Sequence, residues 1–332
     1  MQIKISVRNL VEFLLRSGNI DNRYAASSDA AMAEGSRIHR MLQKRMGSAY
    51  QAEVPLRYVY ATDSYDIVIE GRADGVIVDE NGITIDEIKG TYRDIMKMEE
   101  PVGVHLAQAK CYAYLYVQQS REQPPELRVR MTYCNLDTEE LRYFHKTYPY
   151  KELENWFLEL VCQYQKWADM EFAWKNKRQA SIHELQFPFA YREGQKELAA
   201  NVYRTICHKR KLFLEAPTGV GKTICTVFPA VKAIGEEKAE RIFYLTAKTI
   251  TRTVAEETFT LLRQRGLAFK TVLLTAKDKI CFQGELECNP EACPYAEGHY
   301  DRINDALYDI LTHEVNYTRE RIIEYAREHR VC

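Results

Sequence analysis

Ala216-Pro217-Thr218-Gly219-Val220-Gly221-Lys222-Thr223 follows the apolar run Leu212-Phe213-Leu214 and precedes Ile224-Cys225-Thr226-Val227-Phe228. An apolar strand, a glycine-bearing loop and a Lys-Thr pair opening a helix make a phosphate cradle. Loop amides from Thr218 to Gly221 and the helix N-terminus take the phosphates, Lys222 reaches the β and γ oxygens, and the Thr223 hydroxyl ligates Mg²⁺. Gly219 and Gly221 admit backbone angles and a close approach that a Cβ obstructs. ATP is the expected ligand.

Outward from this loop the pattern stays α/β. Upstream, Arg192 and Gln195 follow the aromatic residues Phe187, Phe189 and Tyr191 and open a helix over residues 196–207. A glutamine amide there suits the N6 and N7 edge of adenine while an aromatic ring stacks on the base; an unremarkable helix-capping segment is the other reading. Downstream, residues 241–245 read as a strand ending in Thr246-Ala247-Lys248-Thr249, and residues 271–277 repeat the strand-then-polar pattern. Strands alternating with helices predict a parallel sheet.

Composition sets limits on the whole. A chain of 332 residues holds about two domains, and 46% hydrophobic with 28% charged residues marks an ordinary globular protein. Lys and Arg (46) nearly cancel Asp and Glu (47), so any nucleic-acid contact must come from local patches. The sequence has no signal peptide and no apolar run near 18 residues, which predicts a cytoplasmic protein without a membrane span. Nine cysteines in a reducing compartment are not a disulfide framework.

In the N-terminal half a short β-like run (Ile3, Ile5, Val7) passes into a helical stripe, and residues 30–46 form a helix carrying Gly35 and His39 on one face. Taken alone, His39 reads as a packing or surface residue. Residues 67–78, interrupted by Gly71-Arg72-Ala73-Asp74-Gly75, turn at Glu80-Asn81-Gly82 into a second strand over residues 83–89. Strand parity sets Glu87 and Lys89 beside Ile83 and Ile85, a costly place for charge unless the groups serve each other, a metal or a substrate. Asp74 and Glu87 would bind Mg²⁺ or Mn²⁺ with help from the Ile88 carbonyl, and Lys89 would orient water or stabilise phosphorane charge. Gln108 and Tyr112, one helical turn apart, would contact a phosphate. Residues 127–133 and 141–147 read as strands, and 151–175 as a helix whose aromatic stripe packs rather than stacks on bases. Lys175-Asn176-Lys177-Arg178 reads as a polar domain junction, and Cys111, Cys134 and Cys162 as buried structural thiols.

Gly35-x-x-x-His39, Gly71-x-x-Asp74, Glu87-x-Lys89 and Gln108-x-x-x-Tyr112, in that order, resemble the RecB-like branch of the PD-(D/E)XK nucleases. That resemblance implies a restriction-endonuclease-like fold and His39 as an additional metal ligand. Relatives in this branch also carry an iron-sulfur cluster with one cysteine near the first helix; the first helix here has none. The A-P-T-G-x-G-K-T loop is similar to the first motif of superfamily 2 helicases, Arg192-x-x-Gln195 to their adenine-reading motif, and Thr246–Thr249 to the strand end that touches single-stranded DNA. Cys281, Cys288, Cys293 and Cys332 follow, at spacings that suit neither a zinc ribbon nor a chance scatter. Their position resembles the cluster insertion of the DinG/XPD helicases, which implies a [4Fe–4S] site held by these thiolates, with zinc as the alternative.

The fold expected is therefore α/β: a PD-(D/E)XK RecB-like nuclease domain with helical extension (1–178), an incomplete RecA-like domain (179–280) and the start of an iron-sulfur domain (281–332). No Asp-Glu-x-His segment follows Thr223, so the chain reads as the N-terminal part of a longer nuclease-helicase with weak ATP hydrolysis of its own. The expected activity is metal-dependent DNA cleavage joined to ATP-dependent unwinding in DNA repair or processing, on single-stranded or forked DNA. A non-catalytic DNA-binding module, or a nuclease with a vestigial helicase part, remains open at this point.

Overall fold

The computed structural model describes residues 1–23, 28–80, 82–120, 124–217, 219–247, 249–284 and 287–332. Thr218 of the phosphate loop, Lys248 and Asn81 of the expected hairpin turn lie outside them. The chain gathers into two compact units: Met1–Asp169 with Ala276–Asp309 and Ile323–Cys332, and Met170–Thr275 with Ile310–Ile322.

The first unit opens with β1 (Gln2–Ser6) and α1 (Val7–Leu15), whose first turn is capped by the Ser6 hydroxyl accepting from the Asn9 amide. Helix α2 (Ser28–Arg45) leads into β2 (Tyr50–Ala61), β3 (Asp66–Asp79) and β4 (Gly82–Thr91). A 3₁₀ turn (Ile95–Lys97) precedes α3 (Gly103–Ser120), β5 (Glu126–Asn135), β6 (Leu141–Pro149) and α4 (Tyr150–Glu184). These strands build one mixed sheet in the order β1-β3-β4-β5-β6, with β2 along β3.

This sheet forks, and the fork positions everything that follows. β1 runs parallel to β3 as far as Ser6 opposite Glu70, while β4 pairs antiparallel with the same edge of β3 only from Gly75 opposite Asp86 onward. Residues 71–74 of β3 therefore face a gap between two partners. Past Asp86, β4 leaves β3 and pairs with β5 alone, from Glu87 opposite Met131 to Lys89 opposite Tyr133. α2 closes one side, its Ile38 and Leu42 packed on Ile88, Cys134 and Leu136. α3 is apolar nearly all round, burying Ala109, Cys111, Ala113 and Leu115, so it is a core helix with α4 stacked on it through Tyr114 and Phe157 at 4.5 Å. One sequence expectation fails on α4: Cys162 is exposed because it falls on the face opposite Leu160 and Val161. Lys175 to Arg178, expected at a domain junction, lie inside the continuous helix.

The second unit holds the end of α4, then α5 (Gln195–Cys207), α6 (Lys222–Gly235) and α7 (Thr249–Gln264). Its core joins Ile224, Val227, Phe228, Val231 and Ile234 of α6 to Ile182 of α4, Leu185 just beyond it, and Phe259 and Leu262 of α7. Each such side chain contributes about 1.5–3 kcal/mol on burial. The expected parallel sheet is largely missing. Residues 212–214 and 241–245 form no strand, and Phe213, Phe243 and Leu245 are 92%, 74% and 89% exposed. Of the expected strands only β7 (Thr271–Val272) forms among the described residues; α8 (Lys277–Ile280) and α9 (His299–His313) follow, and a further strand, β8 (Asn316–Tyr317), before α10 (Arg319–Glu328), pairs parallel with β7. Buried parallel strands need a neighbour on each edge, and among the described residues none lies beside 212–214 or 241–245. Their apolar pattern is real; the ladder is not built.

In the first unit, α8, α9 and α10 carry the cysteine-bearing segment. It is tied to the α1–α2 connection by main-chain hydrogen bonds from Ile20 to Ala296, Asn22 to Cys288 and Tyr300 to Gly18, each 2.9 Å. The Arg16 guanidinium lies 3.7 Å from the centre of the Tyr300 ring. No helix among the described residues is long and apolar enough to cross a membrane.

Candidate metal centre and phosphate loop

At the sheet fork four elements bring polar groups together. α2 presents His39, whose Nδ1 lies 3.3 Å from Asp74 Oδ1 of β3. Asp74 Oδ2 accepts from the Ile88 amide at 2.7 Å, replacing the ladder bond that β4 loses on leaving β3. Lys89 Nζ donates to Glu87 Oε1 at 2.7 Å and to Gln108 Oε1 at 3.1 Å, and Gln108 Nε2 meets the Tyr112 hydroxyl at 3.4 Å. Glycine at position 71 is required by close approach, since a Cβ there would stand 2.8 Å from the Tyr112 ring. Sequence motifs far apart in the chain thus meet in one cleft.

Electrostatics mark the same place. Glu87 is 1% exposed, and burial, reinforced by the Asp74 charge, pushes its carboxyl up to about 8 against the opposing pull of Lys89 and His39. Its Oε2 is buried with no hydrogen-bond partner. For His39, burial disfavours the imidazolium but Asp74 and Glu87 outweigh it, so its pKa is raised. The orphaned buried oxygen of Glu87, within electrostatic reach of His39 and Asp74, adds to oxygen and nitrogen donors of the kind that fit a hard divalent cation. Single donor atoms of His39, Glu53 and Asp74 also lie within 4.8 Å of one another. Sequence reasoning missed Glu53: it sits on β2, and only the register of β2 on β3 brings it opposite Asp74.

On the far face of β4, Asp86 is fully buried and saturated. It accepts from Arg130 Nε (2.9 Å) and Nη2 (2.8 Å), from Thr132 Oγ1 (2.6 Å) and from the Tyr50 hydroxyl (3.1 Å). A Cβ at Gly75 would fall 2.0 Å from the Tyr50 ring. Neighbours in sequence, Asp86 and Glu87 have opposite roles: one carboxylate is tied off as structure, the other is left open.

In the second unit Gly219 and Gly221 take φ of 85° and 78°, the left-handed region expected of them. Lys222 opens α6 but folds its Nζ back on the carbonyls of Ala216 (2.8 Å) and Pro217 (2.7 Å), and Thr223 is half-buried in the first turn. Gln195 is buried; its Oε1 accepts from the Arg192 amide at 2.8 Å and its Nε2 donates to the Val220 carbonyl at 2.7 Å, while Arg192 reaches the Gly219 carbonyl at 3.5 Å. One Nε2 hydrogen and one Oε1 lone pair of the glutamine amide are thus taken by local backbone, and upstream Phe187 and Tyr191 stack at 4.0 Å.

The cysteines of the first unit converge as well. Cys288 and Cys293 are buried, and Lys277 Nζ lies 2.9 Å from Cys288 Sγ. Cys332 shares a hydrogen bond with Cys293 and senses Cys288 and Cys281; burial first, then these neighbours, push its thiol up to about 11. The thiols of Cys281, Cys288, Cys293 and Cys332 thus lie within electrostatic reach of one another, with a lysine against one sulfur. Cys111 and Cys134 are buried in the N-terminal core, away from this group.

The comparisons with known proteins bear on each half. Residues 193–292 match the DEAD/DEAH box helicases. Over 62 residues the chain is 42% identical to a probable ATP-dependent helicase of Methanocaldococcus jannaschii, a match spanning 18% of this chain and 9% of that relative's length. The crystal structure of SSO0001 is 17% identical, covering 48% of this chain and 75% of that one at a TM-score of 0.32. Residues 7–181, just over half the chain, match the PD-(D/E)XK nuclease superfamily, and the chain belongs to that superfamily, with the DEAD/DEAH match lying behind its nuclease domain.

Proposed function

We propose that this chain is the nuclease and ATP-binding part of a DinG/XPD-like helicase that cleaves and unwinds DNA during repair or processing in the cytoplasm. The observation that carries the reading is the sheet fork, where His39 meets Asp74, Lys89 meets Glu87, and the buried Oε2 of Glu87 lies unpartnered within electrostatic reach of His39 and Asp74. His39, Asp74 and Glu87, with the Ile88 carbonyl, would hold Mg²⁺ or Mn²⁺. When bound, the ion supplies Lewis acidity and an activated water for phosphodiester hydrolysis. Lys89, fixed by Glu87 and Gln108, holds its ammonium where charge develops on the phosphorane, and Gln108 and Tyr112 orient a phosphate. Single-stranded or forked DNA is the substrate class suited to the helicase match.

In the second unit Lys222 would hold the β and γ phosphates of ATP, the Thr223 hydroxyl would hold Mg²⁺, and Gly219 and Gly221 would offer amides. Arg192 and Gln195, already braced on the loop, read adenine and report its presence to the phosphate site. Cys281, Cys288, Cys293 and Cys332 hold a [4Fe–4S] cluster, a reading supported by their convergence and by Lys277 on Cys288. Iron and acid-labile sulfide in anaerobically purified protein, with loss in Cys288→Ser, are expected; stoichiometric zinc would replace the cluster reading.

The decisive experiment is cleavage of labelled single- and double-stranded DNA with Mg²⁺ or Mn²⁺. Cleavage lost in Glu87→Ala and kept in Lys222→Ala is the expected result. A folded, metal-loaded wild type that cuts neither substrate would overturn it.

A further inference from the structure

Glu53 stands out on β2 because it breaks two rules at once. The β2–β3 ladder pairs Ala52 with Gly75 and Val54 with Ala73, and the pair between them, Glu53 and Asp74, is skipped. Two acids directly opposite each other on neighbouring strands repel. Glu53 also takes φ of 56°, a left-handed conformation that its Cβ disfavours. An ordinary strand position would carry neither burden.

One side chain holds the arrangement in place. Gln43 Nε2 donates both to Glu53 Oε1 at 2.9 Å and to the Asp74 carbonyl at 3.0 Å. Gln43 lies one turn beyond His39 on α2, so the helix that delivers His39 also clamps the two acids together. Arg72 Nη1, 3.4 Å from Glu53 Oε2, is a competing partner on the outer side. Single donor atoms of His39, Glu53 and Asp74 within 4.8 Å of one another match the spread of ligands around a hard cation bonded at about 2.0–2.6 Å. Independently, the buried, unpartnered Oε2 of Glu87 belongs to the same charge cluster through Asp74 and His39.

We propose that Glu53 is a further ligand of the divalent cation held by His39, Asp74 and Glu87, and that Gln43 is the residue that positions it. This rests on reading the fork as a metal centre. Nearly half exposed, Glu53 closes the side of the site that faces solvent, so it is the ligand that an incoming phosphate displaces or shares.

Glycine tolerates the left-handed backbone, so Glu53→Gly removes the carboxylate without asking the strand to refold. Mn²⁺ binding to the full chain, read by the electron paramagnetic resonance of free Mn²⁺, is compared with the urea unfolding midpoint of metal-free protein. Expected for Glu53→Gly is an affinity lower by roughly ten- to a hundred-fold with a midpoint at or above wild type. Gln43→Leu is expected to lower affinity less, and Arg72→Gln not at all. Wild-type affinity in Glu53→Gly, with or without a lowered midpoint, would overturn the proposal and leave Glu53 as a partner of Arg72. Loss of Mn²⁺ binding in Arg72→Gln equal to that in Glu53→Gly would overturn it too. A wild type that binds no Mn²⁺ removes the metal centre itself and Glu53 with it.

Discussion

The metal centre and the phosphate loop come from equally clear sequence motifs, yet the structure builds them to different degrees. At the fork each functional side chain is braced by another: His39 by Asp74, Asp74 by the Ile88 amide, Lys89 by Glu87 and Gln108. One group, Glu87 Oε2, is left open. At the phosphate loop the lysine is turned onto its own loop carbonyls, and the apolar segments 212–214 and 241–245 stand unladdered in solvent. A site inside a completed sheet is pre-organised; a loop whose flanking strands lack neighbours keeps its local turn geometry and little else. Motif and site are therefore separate things: the motif supplies chemistry, and long-range pairing supplies position.

The largest expected effect breaks the comparison if it fails. Lys89→Met is expected to lower the cleavage rate about 10²–10³-fold with binding of Mn²⁺ retained, whereas Lys222→Met leaves cleavage untouched and abolishes binding of a fluorescent ATP analogue. Equal loss of cleavage in both would mean that the two sites act as one.

Stability sharpens the contrast next. Asp86→Ala strands Arg130, Thr132 and Tyr50 in the sheet interior and is expected to cost about 3–5 kcal/mol in urea unfolding. Phe243→Ser, on a side chain 74% exposed, is expected to cost no more than about 0.5 kcal/mol. A penalty at Phe243 near that at Asp86 would show residues 241–245 paired in solution. Gly75→Ala, whose Cβ must displace Tyr50 from Asp86, is expected to cost about 1–3 kcal/mol.

What could be read from the sequence follows the same division. That His39, Asp74, Glu87, Lys89, Gln108 and Tyr112 come together at the fork follows from motifs whose spacing belongs to one helix face or one strand. The placement of Glu53 and Gln43 there left no such trace, because it depends on how β2 registers on β3 and on which face α2 docks. The strands expected at 212–214 and 241–245 failed for a related reason: an apolar run states what a segment would bury, not whether a neighbour is present to bury it. Cys162 shows the limit of residue type as a guide to burial, since one step around α4 moves a side chain from core to solvent.

The smallest expected effect concerns pH. Glu87 in the metal-free protein is raised from its ordinary 4.5 to about 8, so the native state holds this proton more tightly than the unfolded chain. Stability of metal-free protein from this group therefore falls as pH rises from 4.5 to about 8. A cation must displace the same proton, so Mn²⁺ affinity is expected to rise several-fold between pH 7 and pH 8 and to level off above it. In Glu87→Gln both trends flatten. Calorimetry in two buffers of different ionisation heat reads the released proton directly.

The most direct measurement is anomalous diffraction from crystals grown with Mn²⁺. The account predicts a peak at the sheet fork, bounded by His39, Asp74, Glu87 and the Ile88 carbonyl with Glu53 on its open side. A protein that cleaves DNA while the fork stays empty, with manganese bound elsewhere, would contradict it.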